Sequence, residues 1–281
     1  MTKHLVPVLL VSCLAGCGGP RAVGIYPVKN QTGITYAERS TGPLKMDIGL
    51  PVFESTPNRP AVLWLHGGAY AMGLRQQMAD MVEFTASLGY VSATADYRLT
   101  TQGAKSADIY ADARDAYLFL RNNATRFGID PDRISVGGES AGGHLALLVG
   151  LKEAGVRSII DIYGPTDIVR MYNESRLTWK ETALMAAMGK TPQQDPEAWR
   201  SASPVNLVSS NSPPVLILHG TADVIVPFSQ AELLRDRLRH VGARCVFAPV
   251  PGANHGWVLS TWGSTSMKTL PVIAHFLCGC E

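Results

Sequence analysis

Short apolar runs punctuate the 281-residue chain, and stretches whose apolar positions fall three or four residues apart separate them. Ala61-Val62-Leu63-Trp64-Leu65 is typical of the runs. With no polar residue at alternate positions, it reads as a strand buried on both faces. The pattern predicts strand 61–65, helix 76–88, strand 91–95, helix 106–127, strand 133–137, helix 141–152 and strand 157–162. After a break come strand 214–218, helix 229–241, strand 245–250 and helix 264–277. Ahead of these, 33–39 and 44–51 alternate as an antiparallel strand pair does. Strands that alternate with helices in this way predict an α/β domain, a mostly parallel sheet with helices on both faces.

The break, 164–213, carries Met171, Tyr172, Trp179, Leu184, Met185, Met188 and Trp199 among polar residues. It lies between one core strand and the next on the side where strands end, so it reads as a short lid insertion. Most of its large residues would hold it onto the domain, and one or two would line a pocket. There is no internal repeat. Basic and acidic residues number 25 and 23 with no basic run, a balance that argues against a nucleic-acid partner.

The chemistry concentrates where the predicted strands end. Ser140 sits in Gly138-Glu139-Ser140-Ala141-Gly142, between strand 133–137 and helix 141–152. A serine on so sharp a turn presents its hydroxyl above the sheet, where a helix N-terminus favours developing negative charge. A nucleophile of this kind needs a base, and the base needs a carboxylate to orient it. Asp223 follows His219-Gly220 at the end of strand 214–218, and His255 follows strand 245–250. The order serine, acid, histidine is the one this strand–elbow–helix arrangement uses. His66-Gly67-Gly68 follows strand 61–65 and offers backbone amides for an oxyanion. Asp161 and Asp167 are rivals to Asp223, at the end of the strand after the elbow helix. Glu139 reads as a brace for the elbow, and Asp96 with Arg98 as a structural ion pair. His66 and His219 would brace their turns and His144 would pack beside the elbow, leaving only His255 as base.

Taken with Asp96-Tyr97-Arg98-Leu99, Gly128-Ile129-Asp130-Pro131-Asp132-Arg133, Tyr163-Gly164-Pro165 and His255-Gly256, these motifs resemble the α/β-hydrolase esterases and lipases. The resemblance spans roughly residues 60–260 and is nearest to the hormone-sensitive-lipase-like and acetyl-xylan or feruloyl-esterase-like families. It implies a serine carboxylesterase with Ser140, Asp223 and His255 as catalytic residues and oxyanion amides from Gly67, Gly68 and Ala141. It implies no cofactor and no metal. The substrate would be a small ester, with a short or aromatic acyl group that a sugar could carry; an amidase, a peptidase or a non-catalytic envelope lipoprotein are the alternatives. Ala69 replaces a third glycine, which weakens any third oxyanion donor. The stretch before residue 45 is too short for a helical N-terminal cap.

The N-terminus reads as a processing signal. Lys3 and His4 precede the apolar run Leu5 to Ala15, which is too short to span a bilayer as a helix. Leu14-Ala15-Gly16-Cys17 resembles the bacterial lipoprotein box, implying a signal peptide over 1–16, acylation of Cys17, a tether over 17–32 and the hydrolase domain over 33–281. The location implied is the cell envelope, and Gly18 after the cysteine favours the outer membrane where there are two. With Cys13 removed and Cys17 acylated, Cys245 would pair with Cys278 or Cys280 in an oxidising compartment.

Overall fold

The computed structural model describes residues 26–52, 58–174, 179–259 and 264–279. Eight strands form one sheet: β1 (Val28–Arg39), β2 (Gly42–Pro51), β3 (Arg59–Leu65), β4 (Val91–Ala95), β5 (Ile129–Glu139), β6 (Val156–Ile162), β7 (Val215–Gly220) and β8 (Cys245–Val250). Their order is β1-β2-β4-β3-β5-β6-β7-β8. Only the pairings of β2, with β1 and with β4, are antiparallel. The helices are α1 (Ala79–Ser87), α2 (Ser106–Asn122), α3 (Ala124–Phe127), α4 (Ala141–Lys152), α5 (Ile168–Glu174), α6 (Trp179–Met188), α7 (Pro196–Ser201), α8 (Ser229–His240) and α9 (Ser264–Leu277).

Each central strand feeds two cores, as its all-apolar sequence requires. Ala61, Leu63 and Leu65 of β3 face one way, against apolar residues of α2, α4 and α8. Val62 and Trp64 face the other, against those of α1 and α9. All five are fully buried. Because β3 to β8 run parallel, every loop after a strand opens at the same end of the sheet. Ser140, Asp223 and His255 lie in those loops.

The sheet differs from the sequence reading at its edge. β1 begins at Val28, so residues 28–32 belong to a strand and not to a tether. Lys29, Asn30, Gln31 and Thr32 look like loop because β1 is an edge strand whose exposed positions take polar side chains. The helix expected over 106–127 breaks at Asn123, whose side-chain amide donates to Phe119 O at 2.8 Å. The first turn of the helix expected over 76–88 is a 3-10 turn, Arg75–Met78.

Asp96 and Arg98 do not pair with each other. Asp96 takes Arg75 (Nη1–Oδ2, 2.6 Å), while Arg98 takes the fully buried Asp112 (Nε–Oδ2, 2.7 Å). Arg39 reaches the other oxygen of Asp112 at 2.7 Å, tying β1 and the loop after β4 to α2.

Cys245 and Cys278 are free thiols, not a disulfide. Both lie at the end of the sheet where the parallel strands begin, but α9 crosses the sheet diagonally and brings Cys278 to Tyr90 beside β4. Five strand spacings separate β4 from β8, roughly 24 Å at about 4.8 Å each. Cys280, Cys13, Cys17 and the proposed signal segment lie outside the described residues.

Candidate active site

The elbow is built by close approach. Ser140 has φ 54° and ψ −121°, a left-handed conformation, and its amide donates to Ile162 O at 2.9 Å. Two residues on, a Cβ at Gly142 would lie 2.0 Å from Leu65 O, so only glycine lets α4 start so near β3.

Above the sheet, Ser140 and His255 meet: the hydroxyl donates to His255 Nε2 at 2.9 Å. The same ring donates from Nδ1 to Asp223 Oδ2 at 2.7 Å. The Asp223 side chain is completely buried and His255 is mostly so. Asp223 Oδ1 accepts the amides of Ile225 at 2.8 Å and Val226 at 2.9 Å. Burial alone would raise this carboxyl, but hydrogen bonds from His219 and His255, the His255 charge and the Val226 amide outweigh it. They hold Asp223 well below the usual carboxylate range. Asn254 completes the loop, its Oδ1 accepting the amides of His255 at 2.8 Å and Val224 at 3.3 Å.

The rival acids are elsewhere. Asp167 Oδ1 accepts the Arg170 amide at 2.9 Å and caps α5. Asp161 is buried below the site, bonded to the Gly164 amide at 2.9 Å. Glu139 braces the elbow as the sequence suggests, but by a contact that alters the oxyanion reading. Its Oε1 accepts the Gly67 amide at 2.6 Å, so Gly67 is not available as an oxyanion donor. Burial raises the Glu139 carboxyl, with the Gly67 bond opposing.

Among the described residues, the amides of Gly68, Ala69 and Ala141 donate to no protein acceptor. Gly68, Ala69 and Tyr70 all have positive φ (114°, 52° and 63°), which turns this stretch back on itself. A methyl group in place of a third glycine leaves the N–H of Ala69 intact, so the alanine does not remove a donor. The turn is pinned from below. His66 donates from Nδ1 to Gly67 O at 2.7 Å and stacks on Tyr97 at 4.2 Å. Tyr70 OH meets His144 Nδ1 at 3.0 Å, and His144 Nε2 donates to Ala202 O at 2.8 Å. Burial takes His144 down to about 4, so it stays neutral.

Tyr163 is a site residue whose role sequence reasoning missed. Its ring lies 4.6 Å from that of His255, and its φ is 45°. The signal was its place, directly after β6 at the end where the catalytic loops gather.

Among the described residues the insertion packs as the short α-helices α5, α6 and α7. Met171, Leu184 and Trp199 are buried and hold it down, whereas Trp179 is half exposed. Lys180 Nζ donates to Val224 O at 2.7 Å, so the start of α6 leans on the loop that carries Asp223. Beneath the insertion, Tyr70, His144, Ile168, Leu184 and Met188 line part of a cavity of about 10 Å³, room for one water. Among the described residues, no group of three or more His, Cys, Asp or Glu side chains is placed to hold a metal ion.

The family model BD-FAE matches residues 46–238. The chain is 32% identical over 238 residues to Esterase LipC of Mycobacterium tuberculosis, covering 79% of this chain and 59% of that protein. It is 25% identical over 229 residues to isoprenylcysteine alpha-carbonyl methylesterase ICME of Arabidopsis thaliana, covering 75% and 53%. It therefore spans little more than half the length of these curated relatives. Among solved structures, esterase Est2 of the planctomycete Thermogutta terrifontis superposes with a TM-score of 0.75 at 29% identity. That match covers 92% of this chain and 94% of that one. The same esterase phosphonylated by sarin gives 0.76 at 27% identity, covering 90% and 94%.

Proposed function

The chain belongs to the BD-FAE family of α/β-hydrolase esterases, and we propose that it is itself a serine carboxylesterase acting on small esters through Ser140, His255 and Asp223. The observation that carries the reading is the unbroken hydrogen-bonded chain from Ser140 Oγ through His255 to the buried Asp223.

In this reading Ser140 Oγ attacks the acyl carbonyl carbon as His255 Nε2 takes the hydroxyl proton. The imidazolium so formed is stabilised by Asp223, which also fixes Nδ1 as the protonated nitrogen beforehand. The tetrahedral oxyanion is met by the amides of Gly68, Ala69 and Ala141, the last at the N-terminus of α4. Collapse breaks the ester C–O bond, and Nε2 returns the proton to the leaving alcohol. Water then repeats the cycle on the acyl-enzyme and releases the acid. No step calls for a cofactor.

A short insertion favours a short acyl group, and the Thermogutta esterase has been solved with butyrate and with propionate bound. Family resemblance favours an acetyl or aromatic acyl group on a sugar as the natural substrate. The test is an acyl-chain series of chromogenic esters beside one matching amide. The specificity constant should peak at short chains and the amide should be turned over far more slowly. Preference for the amide would make the protein an amidase, and a constant that rises to long chains would make it a lipase.

We further propose a lipid anchor on Cys17, resting on the lipoprotein-box resemblance of Leu14-Ala15-Gly16-Cys17. The enzyme would then work at the cell envelope, at the outer membrane where the cell has two.

A further inference from the structure

Behind the triad lies a second, fully buried polar group that the proposed mechanism does not use. His219 and Asp161 are both completely buried, on β7 and its neighbour β6. Asp161 is paired with Ile217, so Asp161 and His219 lie two residues apart on the same face of adjacent strands. Their Cα atoms are therefore about 7–8 Å apart, a gap that a carboxylate, an imidazole and one water fill.

His219 touches the triad directly. Its Nε2 donates to Val226 O at 2.9 Å and lies 3.4 Å from Asp223 Oδ2, the oxygen that also receives His255. The Val226 carbonyl fixes the hydrogen on Nε2, which leaves Nδ1 of the neutral ring as an acceptor. Nδ1 has no hydrogen-bond partner among the described residues, and neither has Asp161 Oδ2. Buried polar atoms are rarely left so, because each has given up its bonds to water with nothing in exchange.

Space for Asp161 is kept deliberately clear. A Cβ at Gly143, in the first turn of α4, would lie 2.6 Å from Asp161 Oδ1, and one at Gly164 would lie 2.4 Å away. Oδ1 thus lies against the elbow helix and the loop after β6, and Oδ2 is the oxygen left over. The His219 ring is enclosed by Tyr163 at 6.5 Å and Phe228 at 5.8 Å. Asp161, Asp223, Tyr163 and, beyond Asp223, His255 are titratable groups around it.

We propose that Asp161 and His219 are positioning residues: one buried water donates to both Asp161 Oδ2 and His219 Nδ1, locking the imidazole so that its Nε2–H holds Asp223 toward His255. The inference rests on the triad reading above and extends it from three residues to five. Burial raises the Asp161 carboxyl to about 7, as expected of a group that solvent does not reach.

Three measurements on the full chain test it. A high-resolution crystal structure should show a water joining the two atoms; this readout does not depend on activity, so it decides the inference even if no ester is cleaved. Asp161→Leu, which removes the bridge, should lower kcat by about 10- to 100-fold with KM nearly unchanged, the scale of a small misplacement at the site. A merely structural role would show as lost folded protein, not as a lower kcat at an unchanged KM. Asp161→Asn, which keeps the acceptor for Gly164 and can still bind the water, should recover most of the turnover. A structure without the bridging water, or a folded Asp161→Leu with wild-type kcat, overturns the proposal. Loss of the esterase reading would appear separately, as a wild type inert toward every ester.

Discussion

Ser140, Asp223 and His255 come from loops far apart in sequence and meet at 2.9 and 2.7 Å because each follows a parallel strand at the same end of the sheet. Asp223 is held by two amides and two imidazoles, so losing its charge should disarm the base without unfolding the chain. Asp223→Asn is expected to cut kcat by about 10⁴, the loss seen when the acid of a serine triad is neutralised. Asp167→Asn should leave turnover within about threefold, since Asp167 only caps α5 and surface caps are worth about 1 kcal/mol. Steady-state rates of the two purified variants give the comparison, and the reverse ranking would move the acid to the other loop. All three triad positions were legible in the sequence, because each stands within three residues of a glycine after an apolar run. The oxyanion donors were legible only in part: Gly68 and Ala141 were named, but so was Gly67, and Ala69 was discounted. A backbone amide leaves no mark on the residue that carries it, and what occupies Gly67 is Glu139, 72 positions away.

At the scale of elements, the insertion separates anchoring from rim. Trp199 is fully buried, donates from Nε1 to Lys190 O at 2.8 Å and packs edge-on against Tyr172 at 5.0 Å. Trp199→Ala should therefore cost about 3–5 kcal/mol of stability, the range for a buried tryptophan. The half-exposed Trp179, at the start of α6, should cost little stability when truncated. Because the neighbouring Lys180 bonds to the Asp223 loop, Trp179→Ala should instead change KM. Thermal melts and steady-state kinetics on the pair distinguish the two roles; equal destabilisation would contradict them. The parallel strands and most helices were readable because runs buried on both faces contrast sharply with amphipathic helices. β1 was cut short and α2 ran on through Asn123 for the opposite reason: an edge strand carries the polar side chains of a loop, and a break at one asparagine leaves the apolar spacing intact.

For the whole molecule, the direction of β1 matters. It runs parallel to β4, so Val28 lies at the end of the sheet opposite the catalytic loops. The chain therefore enters the sheet at the end away from Ser140. Because one acyl chain binds membranes only marginally, about 10⁴ M⁻¹, and two or more hold firmly, a multiply acylated protein should fractionate with membranes. Cys17→Ser should release it with an unchanged kcat/KM toward soluble esters. Wild-type protein found wholly in the soluble fraction, with no lipid mass on its N-terminal peptide, would remove the anchor and leave the catalytic reading untouched.

That reading stands or falls on one atom, the hydroxyl oxygen of Ser140. The most direct measurement is intact-mass and peptide mapping after treatment with a fluorophosphonate, on wild type and on Ser140→Ala, with ester hydrolysis followed in parallel. The predicted result is a single adduct on the peptide containing Ser140, loss of hydrolysis in step with labelling, and neither labelling nor hydrolysis in the variant. Full labelling and full hydrolysis by Ser140→Ala would contradict it.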